Sequence, residues 1–282
     1  MKLIDGKHVA KKIESALRLK VGTFTRPPGL AFILVGNNPA SKTYVKMKKK
    51  KCQEIGIFSV DYELPETVTE QELLARIVSL NKDPAIDGIL VQLPLPKHLV
   101  SSKVMESISP DKDVDGFHPI NVGKLLLGEN PLFIPCTPLG IHKLLQHYHI
   151  SPEGKHVVIL GRSNLVGKPL AAILMQKKEH CNATVTLAHS QTPNLEKITQ
   201  TADILVAAMG CPLFVKPYMV RKGCVIIDVG INKSGGKIVG DVDFELVAPL
   251  TSYITPVPGG VGPMTIAMLM SNTVSSYELK NV

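Results

Sequence analysis

Apolar residues along this chain follow two alternating patterns. Some form short unbroken runs bounded by Gly and Pro, and others recur every three or four positions within longer polar segments. The first pattern predicts buried strands and the second amphipathic helices. KHVAKKIESALRLK predicts a helix, and PGLAFILVGNN a buried strand entered by Pro-Gly and left by Gly-Asn-Asn. PASKTYVKMKKKKCQEIG predicts a helix with Pro39 in its first turn and Gly56 at its C-terminal stop. SVDYELP reads as a strand, TEQELLARIVSLNKD as a helix with Thr69 as N-cap, and DGILVQLPLP as a short strand closed by prolines. Strands and helices alternating in this way predict parallel βαβ units.

A loop-rich stretch, DVDGFHPINVGKLLLGENPLFIPCTP, leads into a second half. There LGIHKLLQHYH predicts a helix and GKHVVILGRS a strand with few polar residues. ATVTLAHS, DILVAAMG and CVIIDVGIN are further strands separated by helix-length segments, and GPMTIAMLMSNTVSSYEL reads as one long final helix. Both halves are therefore expected to be α/β, with sheets covered by helices on both faces. The 282 residues suffice for two domains of roughly 100–200 residues each. No apolar run approaches the ~20 residues of a membrane span. MKLIDGKHVA places Asp and Gly where a signal peptide has its apolar core, so no export signal is expected.

Charge and cysteine content narrow the picture. The net charge of +8 favours anionic partners without naming one. Cys52, Cys136, Cys181, Cys211 and Cys224 are scattered and odd in number, with no CxxC and no His at metal spacing. They predict small buried thiols in a reduced cytosol, with neither a disulfide framework nor a zinc site. A nucleic-acid-binding protein would account for the charge. However, no aromatic stacking platform, RNP-like motif or helix-turn-helix spacing accompanies it.

Candidate chemistry in the second half centres on GKHVVILGRSNLVGKPL. Its strand ends in Gly161, followed by Ser163 and Gly167 at the start of a helix. A dinucleotide turn requires small residues where backbone passes close to a pyrophosphate at a helix N-terminus. The spacing here is Gly-x-Ser-x-x-x-Gly rather than GxGxxG, so the strand-turn-helix context carries more weight than the spacing. After the next strand come His189, Ser190, Gln191 and Thr192, where an NAD site commonly has Asp or Glu. Arg162 in the loop, with a hydroxyl and no carboxylate, favours a 2′-phosphate and hence NADP. The cluster ITPVPGGVGPMT is either a second phosphate cradle or a tight turn that starts the last helix.

In the first half, TYVKMKKKKC holds five lysines in six positions. Tyr44 and Lys48 are four apart and share a helix face, while the other lysines rotate away, Lys46 most clearly. By itself the window reads first as a solvated face. A Tyr and a desolvated Lys on one face can instead act as an acid–base pair. Gln92 interrupts an apolar strand and needs a hydrogen-bond partner there. Asp113 and Asp115 in KDVDGFHP are a turn cap, a substrate anchor or, last, a metal ligand pair, since no third ligand is near.

Taken together, VGNNPASKTYVKMKKKKCQEIGI, DGILVQLPLP, KDVDGFHPINVGKL, IPCTPLG, GRSNLVGKP and ITPVPGGVGPMT resemble, in kind and order, the bifunctional methylenetetrahydrofolate dehydrogenase–cyclohydrolases. The resemblance covers nearly the whole chain. It implies two α/β domains with a cleft between them. A folate-binding catalytic domain would span residues 1–120 with 264–282, and a Rossmann-type NADP-binding domain residues 121–263. The final helix would return to the N-terminal domain. The implied activity is oxidation of 5,10-methylenetetrahydrofolate with NADP, then hydrolysis to 10-formyltetrahydrofolate, in a cytoplasmic homodimer joined through its cofactor domains. Substrates would be tetrahydrofolates, polyglutamylated forms among them, with no metal, nucleic acid or membrane.

By position, the resemblance implies that Lys48 transfers protons, Gln92 positions it, Tyr44 packs on the folate and Asp115 anchors the pterin ring. Gly161, Arg162, Ser163, Gly167, Ser190 and Ile231 would bind the cofactor. Pro258 and Gly259 would lie beside nicotinamide and folate. Another two-domain NADP-dependent oxidoreductase, acting on a small amino or hydroxy acid, would explain GRSNLVG. It would not explain TYVKMKK, VQLPLP and DVDG together.

Overall fold

The computed structural model describes residues 1–281. In chain order its first elements are β1 (Lys2–Leu3), α1 (Gly6–Val21), β2 (Gly29–Val35), α2 (Pro39–Ile55), β3 (Phe58–Leu64), α3 (Glu70–Lys82), β4 (Gly88–Val91), α4 (Ser101–Ser107) and α5 (Pro119–Leu127). They are followed by α6 (Cys136–His147), β5 (His156–Leu160), α7 (Gly167–Leu174), β6 (Thr184–Ala188), α8 (Leu195–Thr199), β7 (Ile204–Ala207) and β8 (Val225–Asp228). The last are β9 (Asn232–Ser234), β10 (Lys237–Val239), α9 (Phe244–Val247), β11 (Tyr253–Ile254) and α10 (Val261–Asn281). The chain divides into two compact units, each built on its own parallel sheet.

The three-stranded unit comprises Lys12–Lys124, Asn130–Ile134 and the chain from Ile266 on. Its sheet has the order β3-β2-β4, all parallel, with Phe32 of β2 opposite Asp61 and Leu90. Every residue of β2 is buried, as is every residue of β4. A strand covered on both faces has no polar side, which is why GLAFILV and GILV read as unbroken apolar runs. Ile33, Ile89, Leu73 and Ile77 meet in the core between sheet and helix, and each such side chain contributes roughly 1.5–3 kcal/mol through burial.

The helices of this unit begin and end for local reasons. Pro39 opens α2 and Asn38 caps it, its Oδ1 accepting from the backbone N–H groups of Ala40 and Ser41. Gly56 ends it in the left-handed conformation at φ 93°. Thr69 and Glu72 form a capping box at the start of α3.

Helix α10 carries apolar side chains all round, and from Ile266 on it packs into the three-stranded unit, returning as expected. Its few polar groups are matched to that surface. Asn272 Nδ2 donates to the carbonyls of Val114 (2.8 Å) and Ile134 (3.2 Å). Ser276 Oγ lies 2.6 Å from the Asp87 carbonyl oxygen and 2.7 Å from that of Asp111. Tyr277 stacks on Phe24 at 4.4 Å, and the Arg26 guanidinium sits over its ring while forking onto Asp87.

The KDVDG segment is pinned from both sides. Lys112 Nζ donates to the Leu80 and Asp83 carbonyls at the end of α3. Asp113 accepts from the backbone N–H groups of Phe117 (3.0 Å) and His118 (2.8 Å) and from Asn121 Nδ2 (2.9 Å). Asp113 is therefore a turn cap, and it fixes the backbone that carries half-buried Asp115.

The six-stranded unit comprises Met1–Lys11, Leu125–Glu129 and Pro135–Thr265. Its sheet runs β1-β11-β8-β7-β5-β6, all parallel, and β9 and β10 form a separate antiparallel hairpin. The chain steps from β5 outward to β6 and then across to β7. The carboxyl ends of β5 and β7 thus form a topological switch point, where ligands bind in open α/β sheets. The first eleven residues depart from the expected division at residue 120, because β1 extends this sheet. Lys2 N donates to the Ser252 carbonyl and Ile4 N to that of Ile254, both at 2.8 Å.

Cys52, Cys136, Cys181 and Cys224 are buried free thiols, but Cys211 is exposed, contrary to expectation, because it lies in the loop beyond β7. Among the described residues, no helix is long and apolar enough to cross a membrane and no cluster of His, Cys, Asp or Glu could hold a metal ion.

Two outcomes follow from this packing. Ser276→Ala removes the single O–H shared between the Asp87 and Asp111 carbonyls and should lower stability by about 1 kcal/mol in reversible denaturation; unchanged stability would show that the helix seat does not need the hydroxyl. Burial pushes the Asp113 carboxyl up to about 6 against its three N–H donors, with the Asp115 charge adding to the rise. The folded chain therefore holds this proton more tightly than the unfolded chain, whose carboxyl titrates near ~3.9. The stabilising contribution is full below about pH 4 and is lost as pH rises through the folded value. Side-chain carboxyl NMR should give Asp113 a midpoint near 6, and a midpoint in the ordinary range refutes the assignment.

Candidate active site

The structure sorts the lysine run by burial. Val45, Lys48, Cys52 and Ile55 form the buried stripe of α2, spaced three and four apart. Lys48 is 8% exposed, whereas Lys46 is exposed. Lys49 pairs with Asp61 at 2.6 Å, and Lys51 with Glu14 at 2.9 Å and Glu54 at 2.7 Å. Lys50 is exposed, 3.9 Å from Glu54.

Lys48 Nζ instead donates to Gln92 Oε1 at 3.0 Å. Gln92 stands just past β4. Its backbone N–H continues the ladder to the Ile33 carbonyl, and its own Nε2 donates to the Leu93 carbonyl at 2.8 Å. That second bond fixes the amide so that its oxygen faces the ammonium. Tyr44, one turn before Lys48, is half-buried, and burial raises its phenol above the ordinary value, so it is a neutral hydroxyl at neutral pH. Cys52, one turn beyond, is pushed up to about 12 by burial and is a thiol rather than a thiolate. Lys48, Gln92 and Tyr44 thus gather at the α2 and β4 edge, in the same unit as Asp115.

The six-stranded unit holds the other predicted residues at the carboxyl ends of its strands. Gly161, immediately after β5, has φ 114°, and a Cβ there would lie 2.3 Å from the Ala208 carbonyl oxygen. Gly167 opens α7, where a Cβ would lie 2.1 Å from the Gly161 carbonyl oxygen. The two glycines therefore let strand, turn and helix close on one another, as a dinucleotide turn requires whatever its exact spacing. Within the turn Ser163 Oγ accepts from Val166 N at 3.1 Å and the Ser163 carbonyl from Lys168 N at 3.1 Å. The side chains of Arg162 and Ser163 are exposed, as is Ser190 just past β6. This residue set fits a dinucleotide. It offers close backbone approach, a helix N-terminus for phosphate, and a guanidinium with hydroxyls and no carboxylate on the loop.

Ile231, exposed, follows β8, and Pro258 and Gly259 follow β11. The Gly259 carbonyl accepts from Lys7 N at 3.0 Å, so the glycine loop is tied to the start of α1. Three supporting residues here are not among those expected from sequence. Gly6 packs on the Gly260 carbonyl, Asp241 binds the backbone of Met209 and Gly210, and Asp228 that of Gly230 and Asp241. An acid closing an otherwise apolar strand, as in VIID, was the available signal for Asp228.

Comparison with known proteins agrees with this arrangement. Residues 4–115 match the family model described as tetrahydrofolate dehydrogenase/cyclohydrolase, catalytic domain. Residues 135–281 match the same family's NAD(P)-binding domain. The bifunctional protein FolD of Chlamydia felis (strain Fe/C-56) is 53% identical over 282 residues, covering 98% of each chain. The crystal structure of the bifunctional enzyme FolD, methylenetetrahydrofolate dehydrogenase/cyclohydrolase, from Campylobacter jejuni superposes with a TM-score of 0.96 at 52% identity over 99% of each chain. The Trypanosoma brucei N5,N10-methylenetetrahydrofolate dehydrogenase-cyclohydrolase, solved with NADP and an inhibitor, gives 0.93 at 38% identity over 99% of this chain and 98% of that one. The chain belongs to the tetrahydrofolate dehydrogenase/cyclohydrolase family.

Proposed function

We propose that this chain oxidises 5,10-methylenetetrahydrofolate to the methenyl form with NADP and then hydrolyses that product to 10-formyltetrahydrofolate. The observation that carries the reading is the buried Lys48 ammonium held 3.0 Å from Gln92 Oε1. When bound, NADP supplies the hydride acceptor. Oxidation then needs chiefly the alignment of two bound molecules.

Hydrolysis makes different demands. Water attacks the methenyl carbon and loses a proton, a ring C–N bond breaks, and the departing nitrogen gains a proton. Lys48 is the group proposed to move these protons: as the amine it takes the one that water loses, and as the resulting ammonium it gives one to the departing nitrogen. An ammonium has three donors, so the bond to Gln92 leaves two for water or substrate. Gln92 fixes the ammonium in place, neutral Tyr44 packs against the folate, and Asp115 anchors the pterin. Arg162, Ser163 and Ser190 would hold the adenosine side of the cofactor, where the Arg162 guanidinium suits a 2′-phosphate. The backbone at Gly161 and Gly167 would receive the pyrophosphate. Ile231 would border the cofactor, and Pro258 and Gly259 would lie beside the nicotinamide and the folate. The proposal extends to a cytoplasmic homodimer that accepts polyglutamylated folates. The five free cysteines support a reducing compartment.

Lys48→Ala should lower hydrolysis of methenyltetrahydrofolate by about a hundredfold or more, with a smaller loss in NADPH formation. Hydrolysis at the native rate removes Lys48 from the proton-transfer role. Arg162→Ala should raise KM for NADP by about tenfold or more and change KM for NAD little. Equal losses with both cofactors argue against a 2′-phosphate contact.

A further inference from the structure

Two buried aspartates lie behind the cofactor edge of the six-stranded unit, and the chemistry above does not use them. Asp241 is 0% exposed and Asp228 3%. Asp241 Oδ2 accepts from the backbone N–H groups of Met209 (2.7 Å) and Gly210 (2.9 Å), and its Oδ1 accepts from Asn232 Nδ2 (2.8 Å). Asp228 Oδ1 accepts from Gly230 N (3.0 Å) and Asp241 N (2.9 Å), and its Oδ2 from Val242 N (3.0 Å). The fit is close: a Cβ on Gly240 would lie 1.8 Å from Asp228 Oδ2.

Placing two carboxylates side by side in a water-poor interior is unfavourable. Burial, helped by the Asp241 charge, pushes Asp228 up to about 6. What the pair holds explains its presence. Met209 and Gly210 follow Ala208, whose carbonyl closes against Gly161 of the dinucleotide turn. Gly230 and Asn232 flank Ile231, whose side chain is left 49% exposed. Each aspartate thus binds one neighbour of Ile231, and Asp241 also binds the loop that packs on Gly161.

We propose that Asp241, seated by Asp228, is a positioning residue for NADP: it fixes residues 208–210 against the Gly161 turn and presents Ile231 to the cofactor. This rests on the reading of the chain as an NADP-dependent dehydrogenase.

Asp241→Asn keeps the shape but sets an amide donor among N–H donors. NADP binding by titration calorimetry should weaken by about tenfold or more. KM for NADP should rise in step, and KM for methylenetetrahydrofolate should move far less. Asn232→Ala removes one bond at a half-buried position and should weaken NADP by about threefold. It decides the matter alone if Asp241→Asn does not fold. Native NADP affinity in the folded variants, whatever their thermal midpoints, overturns the positioning role. If the unaltered chain neither binds nor reduces NADP, the dehydrogenase reading fails first and the inference falls with it.

Discussion

A parallel sheet covered on both faces leaves no water for a polar side chain inside it, so any such group needs a built partner. Much of this protein is organised around that requirement. Among the described residues, no buried side-chain nitrogen or oxygen lacks one. Lys112 is tied to the end of α3, Asp113 to the loop that bears Asp115, Asn272 and Ser276 to carbonyls beneath the last helix, and Asp228 to the segment beyond the hairpin. These polar pairings set register as well as stability, because each fixes a backbone segment at a defined distance from its neighbour.

The same constraint distinguishes the lysines of α2 from one another. Lys48 is buried in a helix face shared with Ser41, Val45, Cys52 and Ile55, and its partner is a neutral amide. Lys49 and Lys51, on the same helix, meet carboxylates at part-exposed positions. Surface pairs of that kind contribute about 0–1 kcal/mol each and leave the ammonium committed to a counter-ion. An ammonium hydrogen-bonded to an amide keeps donors for other work. One lysine of the five is thus set apart because burial and partner differ, although the residue type is the same.

Both units place candidate residues at the carboxyl ends of parallel strands, although Tyr44 and Lys48 lie within α2. Gln92 follows β4, Gly161 follows β5, Ser190 follows β6, and the Pro258–Gly259 loop follows β11. The strands supply rigid, buried backbone, and the loops supply exposed side chains. The glycine contacts among Gly161, Gly167 and Ala208 bring two such ends and the start of α7 together at the switch point.

Much of this was legible in the linear chain. Apolar runs of four to seven residues marked the buried strands because both faces of each sheet are covered. Pro39, Gly56 and Thr69 marked helix ends because capping is local. The four-residue spacing of Tyr44 and Lys48 put them on one helix face for the same reason. Tertiary structure decided what depends on residues far apart in sequence. It chose Gln92 as the partner of Lys48 across 44 positions, and it made Asp113 a turn cap when cap, anchor and ligand were all open. It also moved the first eleven residues to the sheet of β11 and set Asp241 behind the loop at 208–210, about thirty residues away. Local patterning states which residues must be buried or turned. Which distant group meets each of them depends on how the strands are ordered, and no short window of sequence carries that order.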